Sequence, residues 1–319
     1  MFSAVKKLVV GQERRKPVWE FPPPGRFVNT PQGTWHVKRH GDGMPVVLEA
    51  GIGGSHLGWA LVEDQLAEFA DVFAYDRLGY GWSPPQAGAK TARELVEQLR
   101  ALLAAEQVPV PRILVGHSFG GMMMRLYAGL YPEEVAGLVL VDALTPEEWF
   151  PLDLRRTAAL RHAVKMAKRA EWLAAKGVLG FVLKRMRRGG RATEKLLGGR
   201  RTILDQIQKL PPSTWGPIRA HWSRAASFRT IAEYFADLPA SCAQARLIEN
   251  LGDLPVIVLA GAANMAPGHQ GRQARLARIS SRGDYRQIEG ATHWLMLDAP
   301  EAVVEAVREL CGARLPQES

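Results

Sequence analysis

The ten residues Arg112-Ile113-Leu114-Val115-Gly116-His117-Ser118-Phe119-Gly120-Gly121 constrain this chain more than any others. An apolar run of strand character, Ile113 to Val115, breaks into G-x-S-x-G and continues with helical spacing through Met122, Leu126 and Tyr127. A chain that turns this sharply from strand to helix holds its serine in a strained backbone conformation. Only small residues fit two before and two after it, hence Gly116 and Gly120. The turn lifts the Ser118 hydroxyl into the open at a helix N-terminus, where amide N–H groups favour developing negative charge. In that setting the pattern points to a serine nucleophile.

The flanking sequence alternates strand and helix patterns. Gly25 to Val28 and Thr34 to Lys38 read as a hairpin around a Pro-Gln-Gly turn, and Pro45 to Gly51 as a buried strand. Trp59 to Phe69 has helical spacing, Asp71 to Tyr75 is a strand, and Thr91 to Glu106 is an amphipathic helix. Val135 to Val141 is a strand ending at Asp142. Alternation then stops, and residues 145–251 read as helical. It resumes with a strand over Leu254 to Ala260, a helix over Gln270 to Ile279, a strand over Tyr285 to Ile288, and a closing helix over Pro300 to Cys311. Asp298-Ala299-Pro300-Glu301 predicts Asp298 as the N-cap of that helix. Such alternation implies a mostly parallel sheet flanked by helices, and the interruption a helical cap inserted after the sixth strand. Residues 1–24 form a basic N-terminal arm, 25–144 with 252–319 the main domain, and 145–251 the cap.

The net charge of +9 belongs to one part of the chain. Residues 151–230 hold 19 Lys and Arg against 4 Asp and Glu, or +15, so the remainder carries −6. Two cysteines, Cys242 and Cys311, stand far apart in no metal or redox spacing, as expected of a reducing compartment. No apolar run approaches the roughly 20 residues that span a bilayer, and the apolar piece near the N-terminus, Leu8 to Val10, is too short for a signal peptide. The simplest expectation is a soluble, cytoplasmic protein.

Taken together, Gly116-His117-Ser118-Phe119-Gly120-Gly121, Tyr75-Asp76-Arg77-Leu78-Gly79-Tyr80-Gly81-Trp82-Ser83 and Gly290-Ala291-Thr292-His293 resemble the α/β-hydrolase family. Leu48 to Gly54 and Leu138 to Asp142 add to the resemblance, which covers nearly all of residues 25–313. It implies an α/β fold and a serine-dependent reaction but no particular substrate, because the fold hosts many chemistries.

A serine hydroxyl needs a base to take its proton as it attacks. The resemblance puts that base in the loop after the last strand, where His293 stands. His117 adjoins Ser118 and is expected to point away from it, as packing for the elbow. The family's usual acid follows the seventh strand in Gly-x-x-Asp, but here the stretch reads Gly261-Ala262-Ala263-Asn264. An amide can orient an imidazole without stabilising its charge. Some family members carry their acid after the sixth strand instead. Asp142 is therefore the first choice for the third member and Asn264 the alternative, while Asp284 lies on the wrong side of the last strand. The oxyanion hole is expected from the backbone N–H groups of Phe119 and of Ile52, since Ala50-Gly51-Ile52 occupies the place of the family's His-Gly-x turn. Asp76 and Arg77 are expected to fix neighbouring loops.

The resulting expectation is a serine esterase or lipase-like hydrolase acting on a mainly apolar acyl substrate, with no metal or organic cofactor. Carbon–carbon hydrolysis, acyl transfer and perhydrolysis use the same serine. A ligand-binding protein without turnover also remains open, because Asn264 replaces the usual acid. Relatives that dehalogenate or open epoxides use an aspartate nucleophile, so Ser118 argues against both. In the basic cap, Trp172-Leu173, Val178-Leu179 and Phe181-Val182-Leu183 precede Lys184-Arg185-Met186-Arg187-Arg188. This apolar stretch flanked by cations either packs on the main domain or rests on an anionic membrane surface. No nucleic-acid motif accompanies the charge.

Overall fold

Continuous apolar runs make the centre of the sheet, because strands covered by helices on both faces have no polar side to show. The computed structural model describes residues 21–179, 202–264 and 266–312. The basic arm up to residue 20 and the Phe181–Arg188 stretch therefore lie outside the described residues. The strands are β1 (Arg26–Thr30), β2 (Gly33–His40), β3 (Met44–Glu49), β4 (Ala70–Tyr75), β5 (Arg112–His117), β6 (Val135–Val141), β7 (Val256–Gly261) and β8 (Gly283–Ile288). They form one sheet in the order β1-β2-β4-β3-β5-β6-β7-β8. β1–β2 and β2–β4 pair antiparallel, and every other pair is parallel. All residues of β5 and β7 are buried.

The sheet order reverses between β3 and β5, so the loops leaving their C-terminal ends splay apart there and leave a crevice. Helices α1 (Glu63–Leu66), α2 (Ala92–Ala105) and α3 (Phe119–Leu130) belong to the first half of the chain. Between β6 and β7 lie α4 (Leu154–Ala175), α5 (Thr202–Lys209), α6 (Pro212–Trp222) and α7 (Ala225–Arg246), the expected helical insertion. Asp153 caps α4 by accepting from the Arg156 amide at 2.7 Å, and α4 packs along α7. After β7 come α8 (His269–Ala277), α9 (Leu295–Asp298) and α10 (Pro300–Leu310). Among the described residues no helix is long and apolar enough to cross a membrane.

Two local expectations are corrected. The helical spacing from Trp59 to Phe69 is realised as a 3-10 turn, His56–Trp59, followed by the single turn α1. Asp76 fixes the first turn from outside, accepting from both the His56 amide and its Nδ1 at 2.9 Å, so tertiary contacts override helix propagation. Asp298 does not cap the last helix either. It ends α9, and Ala299 precedes Pro300, whose fixed φ suits the first helical position. The Asp298 carboxylate instead accepts from the Thr292 amide at 2.7 Å and the Thr292 hydroxyl at 2.5 Å, and pairs with Lys209 of α5.

Candidate active site

Five loops at the C-terminal ends of the parallel strands converge in the crevice: those after β3, β5, β6, β7 and β8. Ser118, between β5 and α3, has φ 55° and ψ −123°, a conformation that costs a non-glycine residue about 1–3 kcal/mol. Surrounding bonds hold it there. Its amide donates to Val141 O at 3.1 Å, and its carbonyl accepts from the Leu144 amide at 2.9 Å. A Cβ on Gly116 would stand 2.6 Å from Gly120 O, and one on Gly120 would stand 2.6 Å from the carbonyls of Glu49 and Ala50. Larger residues at either position would force the turn open.

Three side chains that lie far apart in sequence meet in a line. His293 Nε2 lies 3.1 Å from Ser118 Oγ, and His293 Nδ1 lies 2.6 Å from Asp142 Oδ2. Asp142 follows β6 directly and also has a positive φ, 43°. Its side chain is wholly buried, whereas that of His293 is 40% exposed. Burial alone would push the Asp142 carboxyl up. Hydrogen bonds from His269 and His293, the nearby imidazole charge and the Gly261 amide outweigh it and hold the group well below the usual carboxylate range. In this order the hydroxyl can give its proton to the imidazole while the anionic carboxylate stabilises the imidazolium that forms.

Asn264 reaches the same carboxylate, not the imidazole: its Nδ2 donates to Asp142 Oδ2 at 2.7 Å. The two candidates for the third position are therefore bonded to each other. His269, which sequence reasoning missed, completes the arrangement. Its Nε2 stands 2.8 Å from Asp142 Oδ1, the oxygen that also accepts from the Gly261 amide at 2.9 Å. The only signal for it was a histidine five residues after Asn264, and no motif marks that spacing. His117 does more than pack the elbow. Its Nε2 donates to the His293 carbonyl at 2.8 Å, and the two rings lie 4.7 Å apart. Burial, helped by the nearby His293 charge, pushes the His117 imidazole down to about 3, so it stays neutral near neutral pH.

The loop after β3 approaches Ser118 closely, since a Cβ on Gly51 would stand 3.2 Å from Ser118 Cβ. Ile52 follows Gly51 on this loop, and Phe119 follows Ser118 at the start of α3, its side chain wholly buried. Arg77 holds the loop from behind by donating to Ala50 O at 3.0 Å, Gly51 O at 2.5 Å and Glu49 Oε1 at 2.9 Å. Asp76 fixes the adjacent chain. It accepts from His36 Nδ1, His56 Nδ1 and the amides of His56 and Trp82, each at 2.9 Å. His36, His56 and Asp76 also form a candidate metal-ligand group among the described residues. Their contacts are hydrogen bonds to a carboxylate that already accepts four, which describes a structural hub.

A cavity of about 200 Å³ lies between Ile52, on the loop touching Ser118, and Trp294, next to His293. Leu210, Trp222, Phe228 and Ile231 of the inserted segment give it a mainly apolar wall. α5 is tied to α9 by the Lys209–Asp298 pair and to the His293 loop by Gln206 Nε2 donating to Thr292 Oγ1 at 3.3 Å.

With fold and site described, comparison with known proteins decides the family. A family model described as "Alpha/beta hydrolase family" matches residues 46–306. The chain belongs to the alpha/beta hydrolase family. This hydrolase is 27% identical over 288 residues to the 1-acylglycerol-3-phosphate O-acyltransferase ABHD5 of Rattus norvegicus, a match spanning 84% of this chain and 77% of that protein. It is 25% identical over 306 residues to the (lyso)-N-acylphosphatidylethanolamine lipase of Mus musculus, spanning 85% of this chain and 80% of the relative. Among solved structures, the epoxide hydrolase CorEH superposes with a TM-score of 0.70 at 19% identity, over 91% of this chain and 98% of that one. At that identity the likeness extends to the fold alone.

Proposed function

We propose that this alpha/beta hydrolase is a serine enzyme that cleaves an ester, thioester or related acyl bond of a mainly apolar substrate through an acyl-enzyme. The observation that carries the reading is the unbroken chain from Ser118 Oγ through His293 to Asp142, at 3.1 Å and 2.6 Å. Ser118 attacks the acyl carbonyl as His293 Nε2 takes its proton. Asp142 holds the imidazole by Nδ1 and balances the imidazolium charge. The alkoxide is held by the amide N–H groups of Phe119 and Ile52. His293 then returns the proton to the leaving group, and water resolves the acyl-enzyme by the same route in reverse. This assignment needs no metal or organic cofactor.

The apolar cavity between Ile52 and Trp294 supports an apolar acyl group. Its roughly 200 Å³ is below the 300–1,000 Å³ usual for drug-sized ligands, which favours a single chain over a bulky ring system. Acyl transfer is a second reading, favoured by the similarity to a protein named as an acyltransferase. An alcohol would then replace water in the second half-reaction. A purely ligand-binding role drew its weight from the amide at 264. The short contact between Asp142 and His293 supplies the carboxylate such a protein would lack.

The test is a series of p-nitrophenyl esters of rising acyl length, assayed with and without added alcohols. We expect turnover that improves from acetyl to medium chains and drops by at least a thousandfold in Ser118→Ala. Partition of product to alkyl ester would favour transfer over hydrolysis. No turnover across the series would count against both.

A further inference from the structure

Helix α4 carries an arrangement that the acyl-bond chemistry does not use. It holds six Lys and Arg and one acid, Glu171, which pairs with Arg229 at 2.8 Å. Leu154, Arg161, Lys165, Lys168 and Trp172 recur at spacings of seven, four, three and four, so they share one face of the helix. Among the described residues Arg161, Lys165 and Lys168 meet no carboxylate. The two apolar members of the stripe stand in the open, Leu154 at 91% and Trp172 at 61% exposure. Beside the stripe, α4 and α7 enclose a groove of about 730 Å³. Its floor includes Leu160, Val164 and Phe235, and its rim the same three cations with Trp172.

We infer that this face of α4 and its groove dock on an anionic lipid bilayer. A merely solvated cationic face would not interleave its charges with an exposed tryptophan and leucine above an apolar floor. That mixture matches a bilayer interface, where cations meet lipid phosphates while apolar groups enter the acyl boundary. The apolar floor, with Phe235 set into it and Trp172 the one aromatic at the rim, favours lipid over nucleic acid, which would call for a row of exposed stacking platforms. The position is also apt. Phe228 and Ile231 of α7 wall the cavity between Ile52 and Trp294, and Phe235, four residues after Ile231 on the same helix, reaches the groove. A docked molecule would thus hold one helix against both the lipid and the acyl cavity. That link to catalysis rests on the acyl-bond reading, but the docking does not.

The experiment is flotation of the full chain with phosphatidylcholine vesicles, with and without phosphatidylglycerol, at low and high salt. We expect binding to the anionic vesicles only, weakened by salt. Arg161→Glu/Lys165→Glu/Lys168→Glu should lower partitioning by about a hundredfold, at about one unit of lipid attraction per cation, and leave turnover of a short soluble ester unchanged. Trp172→Ala should weaken it further. Ser118→Ala should float like the wild type, so an inactive protein that still docks separates this inference from the acyl-bond reading. Equal binding to neutral vesicles, no binding, or a triple variant that floats like the wild type would overturn the proposal. So would complete displacement by a short alkyl phosphate, which would make the groove a pocket for one head group. Retention on duplex DNA abolished by the same triple variant, without vesicle binding, would assign the surface to nucleic acid instead.

Discussion

Asn264 Nδ2 donates to Asp142 Oδ2 at 2.7 Å, the same oxygen that faces His293 Nδ1 at 2.6 Å. The amide stands where the commoner family pattern has its acid, yet it serves the carboxylate that arrives from the neighbouring strand. In this chain the two positions are cooperating parts. One supplies the charge and the other a neutral donor that favours it.

Converting the donor to a second acid should therefore harm the site. In Asn264→Asp a carboxyl replaces an N–H at hydrogen-bond distance from Asp142, and two carboxylates that close cannot both ionise freely. Expected is a kcat/KM below wild type by about tenfold or more at neutral pH, with Asn264→Ala less impaired than Asn264→Asp. The pH profiles of kcat/KM for the three proteins check this. An Asn264→Asp protein as active as wild type would mean that position 264 can still act as the acid.

His269 touches Asp142 and not Ser118 or His293, so on the proposed mechanism it is a positioning residue. Loss of its charge-assisted hydrogen bond at 2.8 Å is worth about 1.5–3 kcal/mol, or about ten- to a hundredfold in rate. His269→Ala should lower kcat by that factor with KM little changed. His269→Gln, whose side-chain amide can still donate, should recover most of it. Steady-state kinetics alongside melting temperatures separate this from a folding defect. Equal activity in all three proteins, or equal loss in both variants, would contradict the role.

His221 predicts a pH dependence of stability. Its ring packs edge-on against Trp82 at 4.5 Å. Burial pushes its imidazole down from 6.5 to about 3, Arg224 adding to this while the Asp76 charge opposes it. The unfolded chain takes up a proton below 6.5 that the folded chain refuses until about 3. This contribution is whole above 6.5 and is lost as pH falls through that window. Between pH 7 and pH 5 the wild type should lose about 2 kcal/mol more than His221→Gln. Urea unfolding of both proteins at the two pH values measures the difference, in which other titrating groups cancel. Equal losses would contradict it.

The legible parts of the sequence were those in which local chemistry and burial agree. Ile113 to Val115 had to be a central strand, and Gly116 and Gly120 leave no other turn around Ser118. The place of Asp142 beside His293 was readable because Asp142 ends an unmistakable apolar strand and because position 264 lacks a carboxylate. Three features were hidden for one shared reason, that distant groups decide them. Asp298 carries every local sign of an N-cap, yet Thr292 and Lys209 claim its oxygens. The turn at His56 is set by Asp76. His269 meets Asp142 across 127 residues of chain. His117 is legible as packing for the elbow, but its bond to the His293 carbonyl needs the loop after β8 folded over it.

On the proposed mechanism Ser118 is activated by His293 and Asp142. Incubating the protein with a fluorophosphonate and following intact mass over time tests this without knowledge of the substrate. Expected are rapid addition of one phosphonyl group to the wild type, none in Ser118→Ala, and addition slowed by about a hundredfold or more in Asp142→Asn. A wild type that stays unlabelled, or an Asp142→Asn protein that labels at the wild-type rate, would contradict it.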